Sequence, residues 1–277
     1  MTEPLALVFV GIVVGFFGTI VGAGGGFLVI PYLLLVCGMS PQLAIGTSLT
    51  MVFLNAVSGT VAFIQQKRVD LETGIKFALA TVPGAIVGSY ITVYFTSQLF
   101  SILFGLLLIV LAGSLFFRSI KQRTKQDSQN QAKTAIELVP GKFEKIRIFT
   151  QNSGEVVAYS FNEALGIVIS FAVGFLSSVF GIGGGIIHVP LMILILNFPP
   201  HVATATSFFI LTISTLIGFV THFLLGHVDL SRALWLALGA ITGGQLGARV
   251  SQRVDGRLIA QMLAIALIFV GIRLMLL

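Results

Sequence analysis

The sequence predicts an all-α polytopic membrane protein made of two homologous helical repeats in inverted orientation, each opening with a glycine-broken hairpin and continuing through about three further spans. Three observations carry that prediction: an apolar composition, an ungapped internal match, and a reversal of loop charge between the halves.

Of the 277 residues, 56% are hydrophobic and only 9% charged, with a mean hydropathy of +1.03, where a soluble domain carries about 25% charged residues. Apolar runs near 5–37, 42–64, 74–95, 98–117, 162–196, 202–225, 233–249 and 257–276 follow one another closely. Each is a candidate span by length, and the first and fifth are too long for one simple helix. The opening Thr2, Glu3 and Pro4 form no basic leader, so the first run is expected to stay in the protein.

The same composition excludes other classes. Cys37 is the single cysteine, so no intramolecular disulfide or thiolate metal site is expected, and it reads as a small buried hydrophobe. His188, His201, His222 and His227 lack metal-ligand spacing. No P-loop and no nucleophile-base pattern is present, so neither cofactor nor enzyme chemistry is expected. The net charge of +6 reads as cytoplasmic loops rather than nucleic-acid binding.

At an offset of 159 positions the chain matches itself. "GFFGTIVGAGGGFLVIP" (15–31) lies over "GFLSSVFGIGGGIIHVP" (174–190), and "PQLAIGTS" (41–48) over "PHVATATS" (200–207). The register holds through Gly59 and Gly218, Asp70 and Asp229, Gly84 and Gly243, and Gly88 and Gly247. Leucines align by chance in apolar sequence, whereas glycines, prolines and an Asp in one ungapped register imply duplication. The repeats are 1–117 and 162–277.

Between them lies the polar stretch 118–161, with Lys121, Arg123, Lys125 and Lys133 near its start. It is expected to be a cytoplasmic tether. Its second part, "KIRIFTQNSGEVVAYSF", places β-branched residues on both sides of Asn152, Ser153 and Gly154 and predicts a short hairpin. In the first half Lys67, Arg68 and Lys76 follow the second segment; in the second half Arg249, Arg253 and Arg257 follow the third. Both sets face the same side only if the halves are inverted.

The glycine runs "GAGGG" (22–26) and "GIGGG" (181–185) interrupt the two overlong segments, each with a proline five residues on, Pro31 or Pro190. Unwound backbone in lipid costs several kcal/mol per unsatisfied group, so a break persists only inside protein or beside a cavity. The helices restarting at Phe27 and Ile186 would offer free N–H groups and a positive dipole end to an anion. Gly24, Gly25, Gly26, Gly183, Gly184 and Gly185 are therefore the candidate substrate contacts. Small residues four apart (Gly11, Gly15, Gly18, Gly22, Gly26) also suit close helix packing.

Thr47, Ser48, Thr206 and Ser207 follow helix-starting prolines by six to seven positions, roughly 9 to 10 Å into the span at 1.5 Å per residue. They read as hydroxyl donors to the anion, or as bonds to the carbonyl one turn back. Asn55, His188, His222 and Gln245 are the other polar groups within apolar segments, with either histidine a candidate for a coupled proton. Asp70 and Asp229 read as turn or helix-cap residues at Leu71 and Leu230.

The "GxGGGxxxxP" run followed by "AxGTS", once in each half, resembles the sulfite exporter TauE/SafE family over nearly all of both repeats. The second half departs slightly, with "ATATS" and with His188 where Val29 stands. The resemblance implies an inner-membrane carrier for sulfite, sulfonates, sulfoacetate or other small organic acids. The paired breaks predict alternating access about a midplane site, with a proton or a sodium ion as the candidate coupling ion. An anion channel, or a carrier for small carboxylates, is the alternative.

Overall fold

The computed structural model describes residues 2–110, 112–113, 144–150, 156–251, 268–269 and 271–276. The first half contains α1 (Thr2–Val21), α2 (Gly26–Leu35), α3 (Pro41–Gln65) and α4 (Leu71–Ile91), then α5 (Ser97–Val110). A hairpin follows, β1 (Glu144–Thr150) and β2 (Val156–Asn162). The second half repeats the pattern as α6 (Glu163–Phe180), α7 (Gly185–Leu194), α8 (Pro200–Leu224) and α9 (Leu230–Val250). Helices α7, α8 and α9 start 159 positions after α2, α3 and α4, as the internal match requires. The basic tract with Lys121, Arg123, Lys125 and Lys133, the turn at Asn152, Ser153 and Gly154, and Arg253 and Arg257 lie outside the described residues.

Local chemistry explains where the helices begin. Pro41 and Pro200 open α3 and α8, where the missing N–H costs nothing and φ is already helical. Asp70 accepts from the Thr73 N–H at 3.1 Å and Asp229 from the Arg232 N–H at 3.0 Å, each a side-chain cap satisfying one orphan donor. Among the described residues, α1, α3, α4 with its extension to Tyr94, α6 and α8 are long and apolar enough to cross a membrane. Leu5, Phe9, Leu79, Val110, Val168 and Leu238 stand exposed on the outside, while Thr47, Ser48, Asn55, Ser178 and Thr206 are buried. Apolar surface outside and polar groups inside is the arrangement suited to lipid.

The two halves interlock by exchange. α1 packs on α9 and α4 on α6, while α3 lies against α8. Along α1 and α9 the contacts advance together: Gly11 rests on Leu236 and Ala240, and Gly247 on Phe16. The same holds for α4 and α6, where Gly174 meets Thr81 and Gly88 meets Phe175 and Ser178. Contacts between α3 and α8 run in opposite directions, Gly59 touching Phe208 and Gly218 touching Leu49. The small residues at Gly11 and Gly15 thus do serve close helix packing, because a Cβ there would strike α9 backbone.

The hairpin is an antiparallel pair with Arg147 opposite Tyr159. Tyr159 and Phe161 pack on Phe77, Met192 and Phe198. Tyr159 donates to Asp70 at 2.6 Å, Arg147 donates to Glu72 at 2.6 Å, and Lys145 and Lys76 both reach Glu163 at 2.6 Å. Burial and the bond to Asp70 push the Tyr159 phenol above its ordinary range, so it remains a donor. The tether is therefore a strap that ties the start of α4 to the start of α6. Cys37, expected inside a span and buried, instead follows α2 and is only half-buried, because α2 stops at Leu35.

Candidate functional site

Both long segments are interrupted at their glycine runs. α1 ends at Val21 and α2 begins at Gly26; α6 ends at Phe180 and α7 begins at Gly185. The helices restart one residue before Phe27 and Ile186. The residues ahead of them, Gly25 (φ 96°) and Gly184 (φ 77°), hold the left-handed conformation, which costs other L-residues about 1–2 kcal/mol.

The two interruptions meet each other. A Cβ on Gly26 would lie 2.6 Å from the Gly181 carbonyl oxygen, and one on Gly185 would collide with the Gly22 carbonyl. Val52 of α3 and Leu211 of α8 pack against both Gly24 and Gly183. Ala23 and Ile182 at the loop centres are fully buried. The broken backbone is thus enclosed by protein, as its cost in lipid demands.

Ser48 crosses from α3 to the other half and donates to Gly181 O at 2.8 Å. Its repeat mate Ser207 finds no hydrogen-bond partner among the described residues. Asn55 donates through Nδ2 to Gly24 O at 3.0 Å, and its mate Ser214 is again unpartnered. A small space lies beside the second loop, lined by Thr81, Gly184, His188, Ser207, Ser214 and Leu211 among others. The room open to the centre of a water-sized sphere is about 10 Å³, about one water molecule. No carbonyl among the described residues accepts from the Gly185 or Ile186 N–H, whereas Ile187 and His188 bond back to Gly184 O. Free amides, unspent hydroxyls and a void therefore coincide at the start of α7.

Thr47 and Thr206 point elsewhere. Thr47 Oγ1 accepts from the Asp229 N–H and Thr206 Oγ1 from the Asp70 N–H, both at 3.0 Å. Their oxygens join the halves at the caps of α9 and α4, and the serines alone of the Thr-Ser pairs turn to the loops. Gln245 donates to Ser58 O and Oγ and fastens α9 to α3.

The histidines differ in placement. His188 is 2% exposed and lines the void. Ser170 spends its hydroxyl proton on Gly166 O at 2.7 Å, so its 3.2 Å bond to His188 Nε2 requires the imidazole to donate. His222 Nε2 faces Ser178 O at 3.4 Å and must likewise carry the proton. Its Nδ1 then accepts from His227 Nδ1, 3.4 Å away. Arg68, the repeat mate of His227, stands 5.3 Å over the ring of Phe63, the mate of His222. Among the described residues no three His, Cys, Asp or Glu side chains gather as a metal site would need.

A larger open groove of about 480 Å³ lies between the hairpin and the α3–α4 turn, lined by Lys67, Asp70, Glu72 and Arg147. Its Arg147 is already engaged with Glu72 and lies 3.6 Å from Asp70. It lacks the interrupted backbone of the central site.

No sequence motif singles out Ser177, Ser214 or Thr81. The signal available for Ser214 was the repeat register, which leads to it from Asn55.

Apolar helices outside, paired interruptions inside and buried uncharged polar groups between them define a multi-pass membrane protein with a central polar site. Residues 7–274 match the sulfite exporter TauE/SafE family. The chain is 38% identical over 275 residues to "Probable membrane transporter protein YunE" of Bacillus subtilis, covering 97% of this chain and 96% of that one. It is 31% identical over 241 residues to a "Probable membrane transporter protein" of Xylella fastidiosa, covering 87% and 82%. To "Probable membrane transporter protein YfcA" of Escherichia coli K12 it is 24% identical over 268 residues, covering 96% and 88%. No solved structure matches. The chain belongs to the sulfite exporter TauE/SafE family; it is a membrane transporter and not an enzyme.

Proposed function

We propose that this transporter is a secondary carrier that moves a small sulfur-containing anion, of the sulfite, sulfonate or sulfoacetate type, across the inner membrane by alternating access. The observation that carries the reading is the meeting of two interrupted helices beside unspent hydroxyls and free amides, an uncharged anion-binding arrangement at the centre of the fold. Family membership supports the sulfur-containing substrate class. The glycine-run amides and Ser48 and Ser207 form the substrate region. Thr47 and Thr206 hold the two halves in register around it.

The halves stand inverted in this reading. The common direction of α1 and α9, and of α4 and α6, together with the opposed α3 and α8, supports it. Lys67, Arg68, Lys76 and Arg249 then fall on the face that carries the 118–161 linker, which is the cytoplasmic face by the charge rule. Rocking of one half against the other about the loops would open each side in turn.

The close backbone contact between the loops favours a carrier over a channel, because a channel needs a continuous gap there. His188 lines the void and is the better placed histidine for a coupled proton; a sodium ion is the other coupling candidate. The test is uptake of radiolabelled sulfite, sulfoacetate and small carboxylates into proteoliposomes, with and without pH and sodium gradients. A carrier gives saturable flux and counterflow. Flux no faster than in empty vesicles for all the sulfur compounds would remove the substrate assignment.

A further inference from the structure

We infer that the anion is held on one side of the centre, in the second half, by Ser207, Ser214 and the first N–H groups of α7, and that Asn55 closes the equivalent place in the first half. This rests on the carrier reading above and names where in the central region the charge sits.

The two half-sites share a backbone plan but are filled differently. In the second half, Ser207 and Ser214 are 1% and 3% exposed, lack partners among the described residues and line the void at the start of α7. Ser177, also unpartnered, places its hydroxyl 3.4 Å from where a Gly184 Cβ would stand. In the first half the matching hydroxyl of Ser48 is spent on Gly181 O, and the Asn55 carboxamide is bonded to Gly24 O. Thr81 and His188, which line the void, correspond by the repeat to Ala240 and Val29. Among the described residues the Gly26 and Phe27 N–H groups are as free as those of Gly185 and Ile186, so what the first half-site lacks is the polar lining and the unspent hydroxyls that Ser207 and Ser214 supply.

Two substitutions between the halves account for the difference in space. Gly18 stands where Ser177 does, and a side chain there would collide with the backbone of Gly24 and Gly25. The first loop therefore settles onto α1, with Ala23 and Gly24 N–H both bonded to Gly18 O at 2.7 and 3.1 Å. A Gly25 Cβ would come within 2.9 Å of the Val14 carbonyl, whereas the nearest atoms to a Gly184 Cβ are side-chain atoms of Val173 and Ser177 at 3.0 to 3.4 Å. The serine props the second loop away from its helix. Gly244 stands where Ala85 does, and a Cβ at 244 would strike Asn55 Oδ1. Glycine at 244 makes the room that the longer Asn55 side chain needs.

The charge of the ligand follows from the lining. No Lys, Arg, Asp or Glu among the described residues borders the void, so the anion is met by hydroxyls, amides and a helix end worth about half a unit charge. The cost of stripping water from an ion grows with the square of its charge, and dipoles alone offset it best for a single charge. The site is built for a monoanion such as bisulfite or a sulfonate head group, rather than for a dianion. Room for about one water centre means that the described conformation is closed, and the loops must part for the anion to enter.

The test uses purified full-length protein in proteoliposomes, with saturable sulfite uptake as the readout and thermal unfolding in detergent as a folding control. Ser207→Ala and Ser214→Ala are each expected to raise KM about ten- to a hundredfold, the value of a hydrogen bond to a charge, with Ser48→Ala raising it clearly less. Transposing the first half's plug, Ser214→Asn with Ala85→Gly, is expected to abolish uptake. Should that double variant misfold, the alanine series decides. Methanesulfonate is expected to compete with sulfite and sulfate to compete poorly. Equal rises for Ser48→Ala and Ser207→Ala, no rise for either second-half serine, or equal competition by sulfate would each overturn the one-sided monoanion site while leaving the carrier intact. Absence of saturable uptake in the unaltered protein would overturn the carrier reading and this proposal with it.

Discussion

The first and second glycine loops have the same spacing of glycines and left-handed residues, yet one is packed shut and the other stands over a void. In the first, Gly18 lets the chain collapse onto α1 and Asn55 plugs the remaining space. In the second, Ser177 and the shorter Ser214 leave hydroxyls and amides unspent. The glycines supply the interruption in both halves, and the residues around them decide how much room and how many unspent hydroxyls remain beside it. On the one-sided reading proposed above, a duplicated scaffold carries a single site.

The sharpest way to break the comparison is to attack what the loops share. Gly26→Ala and Gly185→Ala each drive a methyl into the opposing loop's carbonyl, and the expected loss is about 3 kcal/mol or more, since backbone cannot yield as a side chain can. Detergent-solubilised protein should unfold or aggregate in a size-exclusion profile; a well-folded Gly185→Ala would show that the loops do not touch. Next come Gly25→Ala and Gly184→Ala, which separate the halves. Both incur the left-handed penalty of about 1–2 kcal/mol, but Gly25→Ala also strikes Val14, so its thermal midpoint should fall further. Equal shifts would mean that the first loop is not the tighter one.

Smaller effects sharpen the picture at the ends of the helices. Tyr159→Phe removes the 2.6 Å bond to Asp70 and should cost about 1.5–3 kcal/mol, as expected for a hydrogen bond to a charged group. On the opposite face, Arg232→Ala removes more exposed pairs to Glu3 and Asp229 and should cost under about 1 kcal/mol. A larger loss from Arg232→Ala in chemical or thermal unfolding would reverse the assignment of the hairpin as the stronger tie. Thr206→Val should cost about 1 kcal/mol by leaving the Asp70 N–H unpaired, with sulfite KM unaffected; a raised KM would return the threonines to the substrate.

Much of this was legible because it is local. Interruption by glycine, capping by Asp70 and Asp229, opening by Pro41 and Pro200, and the antiparallel pairing of 144–150 with 156–162 each depend on a few neighbouring residues. The exchange of α1 onto α9 and α4 onto α6 was not legible, because small residues permit close packing without naming the partner. For the same reason Thr47 and Thr206 read as substrate donors beside Ser48 and Ser207. One step along a helix turns a side chain by about 100°, and only the position of the other half shows which of the two faces a loop. Asn55 reads from sequence as a buried polar group, but its role as a plug depends on Gly244, which lies 189 positions away in the chain.

The threonine bonds between the halves bear on ancestry. Each fourth helix has its cap N–H satisfied by the opposite repeat, and each first helix lies against the opposite repeat's fourth. A lone repeat in a bilayer would leave these donors unmet and these faces open to lipid. On the duplication reading, the unit that was copied already worked as a pair of identical chains, and gene fusion made their meeting unimolecular. Only after duplication could one copy gain a plug while the other kept its hollow, since chains encoded by one gene must change together.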